Sequence, residues 1–395
     1  MKVEERPLVP EPQPEVEAEV RRVDWGAWLR DLGMRLLAPA VSLAAAALIG
    51  ALVVLLVRRN ARDVADVASA MWTYGLANRN APAFILGRAT PFIFAGIATA
   101  LAFKAGLFNI GVEGQYAIGA LVAAVVGSQL SLPAVLHLPV TILAGMLGGL
   151  AWALVPALLK VYRGAHEVIS TIMMNYLANG VLLYLLSGPL KDKHQVGVVA
   201  QQQTAAVKPS ASVGSMVPFL NSLGFLFRRS APLTWLVLLA LAGAAVYSFV
   251  IRRTRFGFEV RVFGTNPRAA EPAGIHANRM MLRAMLLSGA IAGLAGLQDV
   301  LGLDHRMRID YVRGYGFTAI AIALLGRNSG LGIVAASLLF AFLDHSASGI
   351  GLNTNVPQEV TIILQGVIIL TIVVCYELFR RLAARRRLRE SHERA

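Results

Sequence analysis

Asn109, Glu113 and Gln115 stand among three glycines, Gly106, Gly111 and Gly114, in a polar run that separates two apolar stretches. Two amides and a carboxylate at this spacing can hold the hydroxyls or ring edges of a polar solute, or satisfy backbone groups. Asn109 and Glu113 are four residues apart and share a face wherever the segment is helical. The glycines permit abrupt changes of direction and close backbone approach. Lipid offers no partner to a free N–H or C=O, so irregular backbone at membrane depth persists only against protein or a water-filled cavity. The run is therefore expected to line or gate a path. The competing reading is a solvated loop in which Glu113 pairs with Lys104.

Three further groups carry polar chemistry inside apolar sequence. Asn175 and Tyr176 follow Glu167-Val168-Ile169-Ser170-Thr171 and can bond a solute or a neighbouring helix. His166 and Glu167 are read as interfacial, because no second metal ligand sits at helical spacing. Gln298, Asp299 and Asp304 close another apolar stretch and face either an outer mouth or water. Phe317, after Gly314-Tyr315-Gly316, can stack on a flat ligand or pack between helices. The segment from Arg261 to Ile275 has a different character: Asn266 as N-cap, Pro267 at the first helical position and Gly274 past the end predict a short helix outside the membrane. Pro272 would break that helix, so it is expected to stop at Glu271.

These residues need a scaffold, and composition names it. Of 395 residues 56% are hydrophobic and 15% charged, against roughly 25% charged in soluble domains. The sequence predicts an all-α polytopic membrane bundle with about ten spans, near 37–57, 89–104, 107–127, 138–159, 167–187, 232–251, 280–302, 315–326, 331–348 and 359–379. A span needs about 20 residues, so 89–104, 315–326 and 331–348 look short. Residues 1–35 form a Glu- and Pro-rich tail with an interfacial anchor at Trp25 and Trp28; 36–379 is the membrane domain; 380–395 is a basic tail. Residues 58–88 and 188–231 are expected as external loops, the second partly structured around Val217–Phe227, and 252–280 as a cytoplasmic segment.

With both termini in the cytoplasm, inside segments hold 24 of the 37 basic residues, as the positive-inside rule requires. The net charge of +14 then meets anionic lipid or a protein partner. A nucleic-acid role does not fit, because the basic runs flank spans. The single cysteine, Cys375, excludes an intramolecular disulfide and a cysteine metal site. No GxxxxGK[ST], GxSxG or HExxH run occurs, so the chain reads as a non-enzyme without its own nucleotide or metal cofactor. Splitting the spans five and five gives opposite orientations to the halves. Gly114–Leu121 lies faintly alongside Gly314–Ala321, which points to an inverted repeat with a ligand site near the midplane.

Four motifs together are more specific than any one: Phe108–Gln115, Glu167–Tyr176, Gly264–Ala270, and Gly314–Phe317 with Leu325-Gly326-Arg327. In this order they resemble the permease subunits of bacterial simple-sugar and nucleoside ABC importers, over most of residues 89–379. The Glu167–Tyr176 run and the long 188–231 loop look most like the larger permease of nucleoside systems; permeases for ribose, galactose or branched-chain amino acids are the alternatives. The resemblance implies a multi-pass protein of the bacterial inner membrane working with a second permease, cytoplasmic ATP-binding subunits that hold ATP and Mg, and an external binding lipoprotein. For a nucleoside path, Phe317 or Tyr176 is expected to stack on the base and Asn109, Gln115, Asn175 or Gln298 to meet hydroxyls and ring edges, with Glu113 lining or gating the path. Arg261, Gly264, Asn266, Pro267, Arg268, Ala269, Ala270 and Gly274 become the helix that couples to the ATPase. Two positions depart from the family pattern: Glu271-Pro272 replaces a basic or aromatic pair, and Gly330 stands where Pro is usual. A secondary transporter driven by an ion gradient is the rival from another class.

Overall fold

The computed structural model describes residues 41, 44–193, 201–311, 314–353, 363, 366–367, 370–371, 374 and 378. The tail expected at 1–35, residues 194–200 of the long loop, most of the tenth span at 359–379, Cys375 and the basic tail lie outside the described residues. Within them the architecture is helical, with only the isolated bridges Gln203 to Arg308 and Ser215 to Thr234 between extended residues. In order the helices are α1 (Ala44–Arg58), α2 (Ala61–Trp72), α3 (Ala81–Lys104), α4 (Val112–Gln129), α5 (Ala134–Arg163), α6 (Glu167–Ser187), α7 (Val217–Ser222), α8 (Leu236–Arg253), α9 (Arg255–Thr265), α10 (Pro267–Ala270), α11 (Ala277–Ala295), α12 (Tyr315–Leu325) and α13 (Gly330–Asn353). α11 runs on through a π-helical turn, Gln298–Leu303. Among the described helices, six are long and apolar enough to cross a membrane, while α1 and α12 are shorter.

Three expectations change. The span at 331–348 is not short: it belongs to α13, 24 residues long, with a membrane-length stretch Gly330–Ile350. The span at 89–104 is not short: it begins at Ala81 and has 24 residues, despite Pro91 inside it. The loop expected at 58–88 is mostly helical. Asn60 starts α2 by accepting from the Arg62 N–H at 3.1 Å, and a π-helical turn, Thr73–Ala77, follows. The 188–231 segment is partly structured, as expected, and is tied down by backbone bonds. Val207 donates to His305 O at 2.8 Å, Thr204 to Met307 O at 2.9 Å and Val213 to Leu301 O at 2.8 Å. Val217, Ala231 and Leu233 then pack with Ala83 and Val237 in an apolar cluster.

α3 is the central element, buried without a break from Ala89 to Ala102. It packs on α12 and α13, while α11 packs on α4 and α5. The α5–α11 crossing rests on paired glycines four apart, Gly145 with Gly149 and Gly289 with Gly293. A Cβ on Gly149 would strike the Gly289 carbonyl, and one on Gly293 the Gly145 carbonyl. Between helices in lipid the water-driven apolar effect is absent, so such close backbone contact supplies the association.

Gly293→Val is expected to destabilise the protein by roughly 1–3 kcal/mol or more through overpacking. Gly180→Ala, on α6 with open space around the added carbon, should be neutral or slightly stabilising. Thermal unfolding of the detergent-solubilised protein, followed by size-exclusion chromatography, checks both.

Candidate functional site

Residues 105–111 do not carry α3 away from the bundle but fold back along it. Gly106, at φ 70°, makes the reversal, and Leu107 N–H returns to Ala102 O at 3.0 Å. Asn109 then donates to Ser288 Oγ at 2.8 Å, and Ser288 donates to Ala98 O at 2.7 Å. Asn109 therefore lies level with Ala98, six residues or about 9 Å inside the end of α3 at 1.5 Å per residue. It exchanges two bonds with Gln115: Asn109 Nδ2 to Gln115 Oε1 at 2.9 Å and Gln115 Nε2 to Asn109 Oδ1 at 3.0 Å. Both amides are fully buried. Asn175 joins them from α6, accepting from Gly114 N–H at 2.9 Å and donating to Ile110 O at 2.9 Å. The polar backbone is thus satisfied from α3 and α6, while Ser288 of α11 holds the Asn109 amide.

Glu113 makes the central contact. Oε1 accepts from Gly314 N–H at 2.8 Å and from the Tyr116 hydroxyl at 2.9 Å; Oε2 accepts from Gly316 N–H at 2.6 Å. The carboxylate sits in the first turn of α4 and caps the start of α12, so two positive helix ends meet on one negative group. Gly316 allows the approach, because a Cβ there would strike the Glu113 backbone nitrogen. The pair between Glu113 and Lys104 does not form. Because α4 starts only at Val112, Asn109 and Glu113 do not share a helical face either.

Beside this junction lies a cavity of about 730 Å³, within the range of small-molecule sites. α3 contributes Phe84, Arg88 and Phe92, the π-turn of α11 Gln298 and Asp299, α12 Tyr315 and Thr318, and α13 Asp344. Phe92 and Tyr315 meet edge to face with centroids 5.4 Å apart. Tyr315 donates to Asp299 Oδ2 at 3.1 Å. Gln298 accepts from Thr234 Oγ1 at 2.7 Å and donates to Pro232 O at 2.5 Å. Arg88 forms an ion pair with Asp344 and a 3.0 Å bond to Ser348 Oγ. The site therefore offers aromatic rings, carboxylates and an amide together.

Of the residues assigned to the path, Gln298 alone lines this cavity. Asn109, Glu113, Gln115 and Asn175 hold the helices around it. Tyr176, 69% exposed, continues the outward stripe of Ile169 and Met173 on α6, and Phe317, 54% exposed, lies with Leu324 on the outer face of α12. Sequence reasoning passed over Arg88 and Asp344, although ionisable groups within apolar helices are themselves a signal. Ser288 gave no signal in the sequence.

The Arg261–Gly274 segment has the local geometry its caps predict. Asn266 Oδ1 accepts from Arg268 N–H at 3.0 Å and Ala269 N–H at 3.2 Å; the helix ends at Ala270 and Gly274 has φ 77°. Pro272 falls in the turn and removes no helical bond. Gly264 abuts the Lys104 carbonyl, where a Cβ would collide. Gly330, the other departure, lies against Ser248 and the Ala244 carbonyl of α8 with no room for a Cβ.

The described residues include six helices of membrane length, with a polar cavity between α3, α11, α12 and α13, the architecture of a multi-pass membrane protein. The sequence profile of the branched-chain amino acid transport system / permease component family matches residues 81–373. The guanosine ABC transporter permease protein NupP of Bacillus subtilis is 35% identical over 342 residues, 86% of this chain and 94% of that protein. The glucose ABC transporter permease protein TsgB13 of Haloferax volcanii is 37% identical, over 81% of this chain and 82% of its own. The nucleoside ABC transporter permease protein NupB of Lactococcus lactis is 31% identical, over 72% and 76%. No solved structure matches. The chain belongs to this permease family: it is a multi-pass membrane transport subunit of the ABC type, not an enzyme.

Glu113→Gln places an amide donor against backbone N–H groups at the α4–α12 junction. The expected cost is about 1–3 kcal/mol, that of a buried polar group left unpaired, read as a lowered unfolding temperature. Gly316→Ala should lower it as well by parting the same two helix ends.

Proposed function

We propose that this chain is the permease of a nucleoside ABC importer and that the cavity beside Glu113 is its solute site. The observation that carries the reading is the wall itself. Tyr315, braced edge to face by the buried Phe92, and Phe84, with one face stacked on His345, offer ring surface for a base, while Asp299 and Gln298 offer acceptors and a donor for ribose hydroxyls and ring edges. Two of the relatives described above are named for guanosine or nucleoside transport and one for glucose; the sugar reading shares the hydroxyl-binding groups and uses the rings through the apolar C–H face of the sugar. Binding is weak, since a conduit that holds its cargo tightly releases it slowly.

The ten spans form inverted repeats of five. Support comes from the packing: exchanging α3 with α11, α4 with α12 and α5 with α13 carries the contacts of α11 with α4 and α5 onto those of α3 with α12 and α13. The Glu113 junction lies where the halves meet, directly behind the Gly314–Tyr315 wall of the cavity, and acts as the gate. Asn109, Gln115 and Asn175 hold that gate; Tyr176 and Phe317 face outward in this conformation and reach cargo only if the bundle rearranges. A second permease completes the path, an external binding lipoprotein delivers solute, and cytoplasmic subunits supply ATP and Mg. Both termini and the 252–280 segment lie in the cytoplasm. There Asn266, Pro267, Arg268, Ala269 and Ala270 seat in the ATPase, and Gly264 passes their movement to Lys104 and the folded-back residues 105–111.

Solute-stimulated ATP hydrolysis by the reconstituted complex tests this reading. Nucleosides should stimulate, Asp299→Asn should raise the concentration needed roughly ten-fold, as expected for one lost charge-assisted bond, and replacing Asn266-Pro267-Arg268 by three glycines should abolish stimulation. A response only to sugars moves the substrate assignment. Accumulation by this chain alone under an ion gradient, without ATP, overturns the ABC mechanism.

A further inference from the structure

A second cavity, of about 270 Å³, lies where α3, α8 and α12 end. Lys104, Tyr247, Arg252, Arg261 and Asn328 line it, and no carboxylate is among the described residues that do. Arg327 stands close by, and its charge bears on Lys104 together with those of Arg252 and Arg261. None of the four cations has a carboxylate partner among the described residues. The bland explanation is that basic groups collect at the negative ends of helices. Lys104 closes α3, Arg252 lies in the last turn of α8, and Arg327 follows α12.

Magnitudes argue against that explanation as sufficient. Three helix ends carry about half a negative charge each, which leaves more than half of the four positive charges uncompensated. Arg261 is not at a C-terminus at all; it lies within α9, and its buried Nη1 has no hydrogen-bond partner. Asn328 contributes the complementary defect. Its Oδ1 is likewise buried and unpartnered, although the residue is held at φ 50°. One orphaned donor and one orphaned acceptor thus belong to the wall of a single cationic cavity.

We propose that this cavity binds the headgroup of an anionic phospholipid of the phosphatidylglycerol type. The phosphodiester accepts from Arg261 Nη1 and is balanced by Lys104, Arg252 and Arg327, while a headgroup hydroxyl donates to Asn328 Oδ1. Inorganic phosphate answers the charge equally well and carries a P–OH that satisfies the same acceptor; the position favours lipid. The cavity is framed by the ends of the membrane-length helices α3 and α8, the depth at which lipid headgroups gather. Basic pockets between helix ends are recurrent sites for such headgroups.

The test is native mass spectrometry of the assembled complex extracted from membranes containing phosphatidylglycerol and phosphatidylcholine. The wild type should retain phosphatidylglycerol with a preference on the order of ten-fold. Lys104→Gln combined with Arg261→Gln should abolish the preference, Lys104→Arg with Arg261→Lys should keep most of it, and Arg228→Gln, on the segment before α8, should change nothing. Equal retention of both lipids by the wild type, or an undiminished preference in the double glutamine variant, overturns the proposal. Displacement of the retained lipid by inorganic phosphate assigns the cavity to a soluble anion and overturns the lipid assignment.

Discussion

A helix that begins away from water leaves several N–H groups without partners, and in lipid each costs several kcal/mol. α12 has only 11 residues, about 16 Å at 1.5 Å per residue against a hydrocarbon core of about 30 Å, and its start lies against the first turn of α4. The Glu113 carboxylate meets that constraint by accepting from Gly314 and Gly316. The remaining features follow from placing it there. α4 must start beside α12, which requires the chain to fold back over 105–111, and that bend needs Asn109, Gln115, Ser288 and Asn175 to satisfy its backbone and one another. Tyr315, held by this junction on one side and Asp299 on the other, is thereby fixed in the cavity wall.

The same geometry ties the periphery to the centre. Gly264 on α9 touches the last carbonyl of α3 without an intervening side chain; the residues after that carbonyl carry Asn109, and a few further on comes Glu113. Packed backbones transmit displacement because interiors are close-packed and yield little. A shift of α9 therefore has a short covalent and steric route to the point where the two helix starts meet.

How much of this was legible in the sequence depended on distance along the chain. The caps of α10 are local, and Asn266, Pro267 and Gly274 announce them without help from the rest of the fold. The run Phe103–Gln115 was legible as irregular polar backbone inside an apolar protein, but the partners of its side chains were not. Asn109 and Gln115 bind each other and Asn109 binds Ser288, 179 residues away, and nothing in the sequence marks that serine of α11 as its partner. The cavity is assembled from α3, α11, α12 and α13, and of its lining the sequence singled out Gln298, Asp299, Asp304 and the Gly314-Tyr315 turn without showing that they share one wall. Arg88 and Asp344 are conspicuous within apolar helices and were passed over. Helix α2 was missed because Arg62, Asp63 and Asp66 mask a helix for which Asn60 is a clear start.

Synthesis proceeds from α4 to α12, with some two hundred residues between Glu113 and the amides it caps. During that interval the carboxylate has only Tyr116 of the partners described here, and the segment that becomes α12 is too short to cross the bilayer by itself. α12 is thus a poor substrate for one-helix-at-a-time insertion. Its first amides meet their acceptor only once the first half of the chain has placed Glu113.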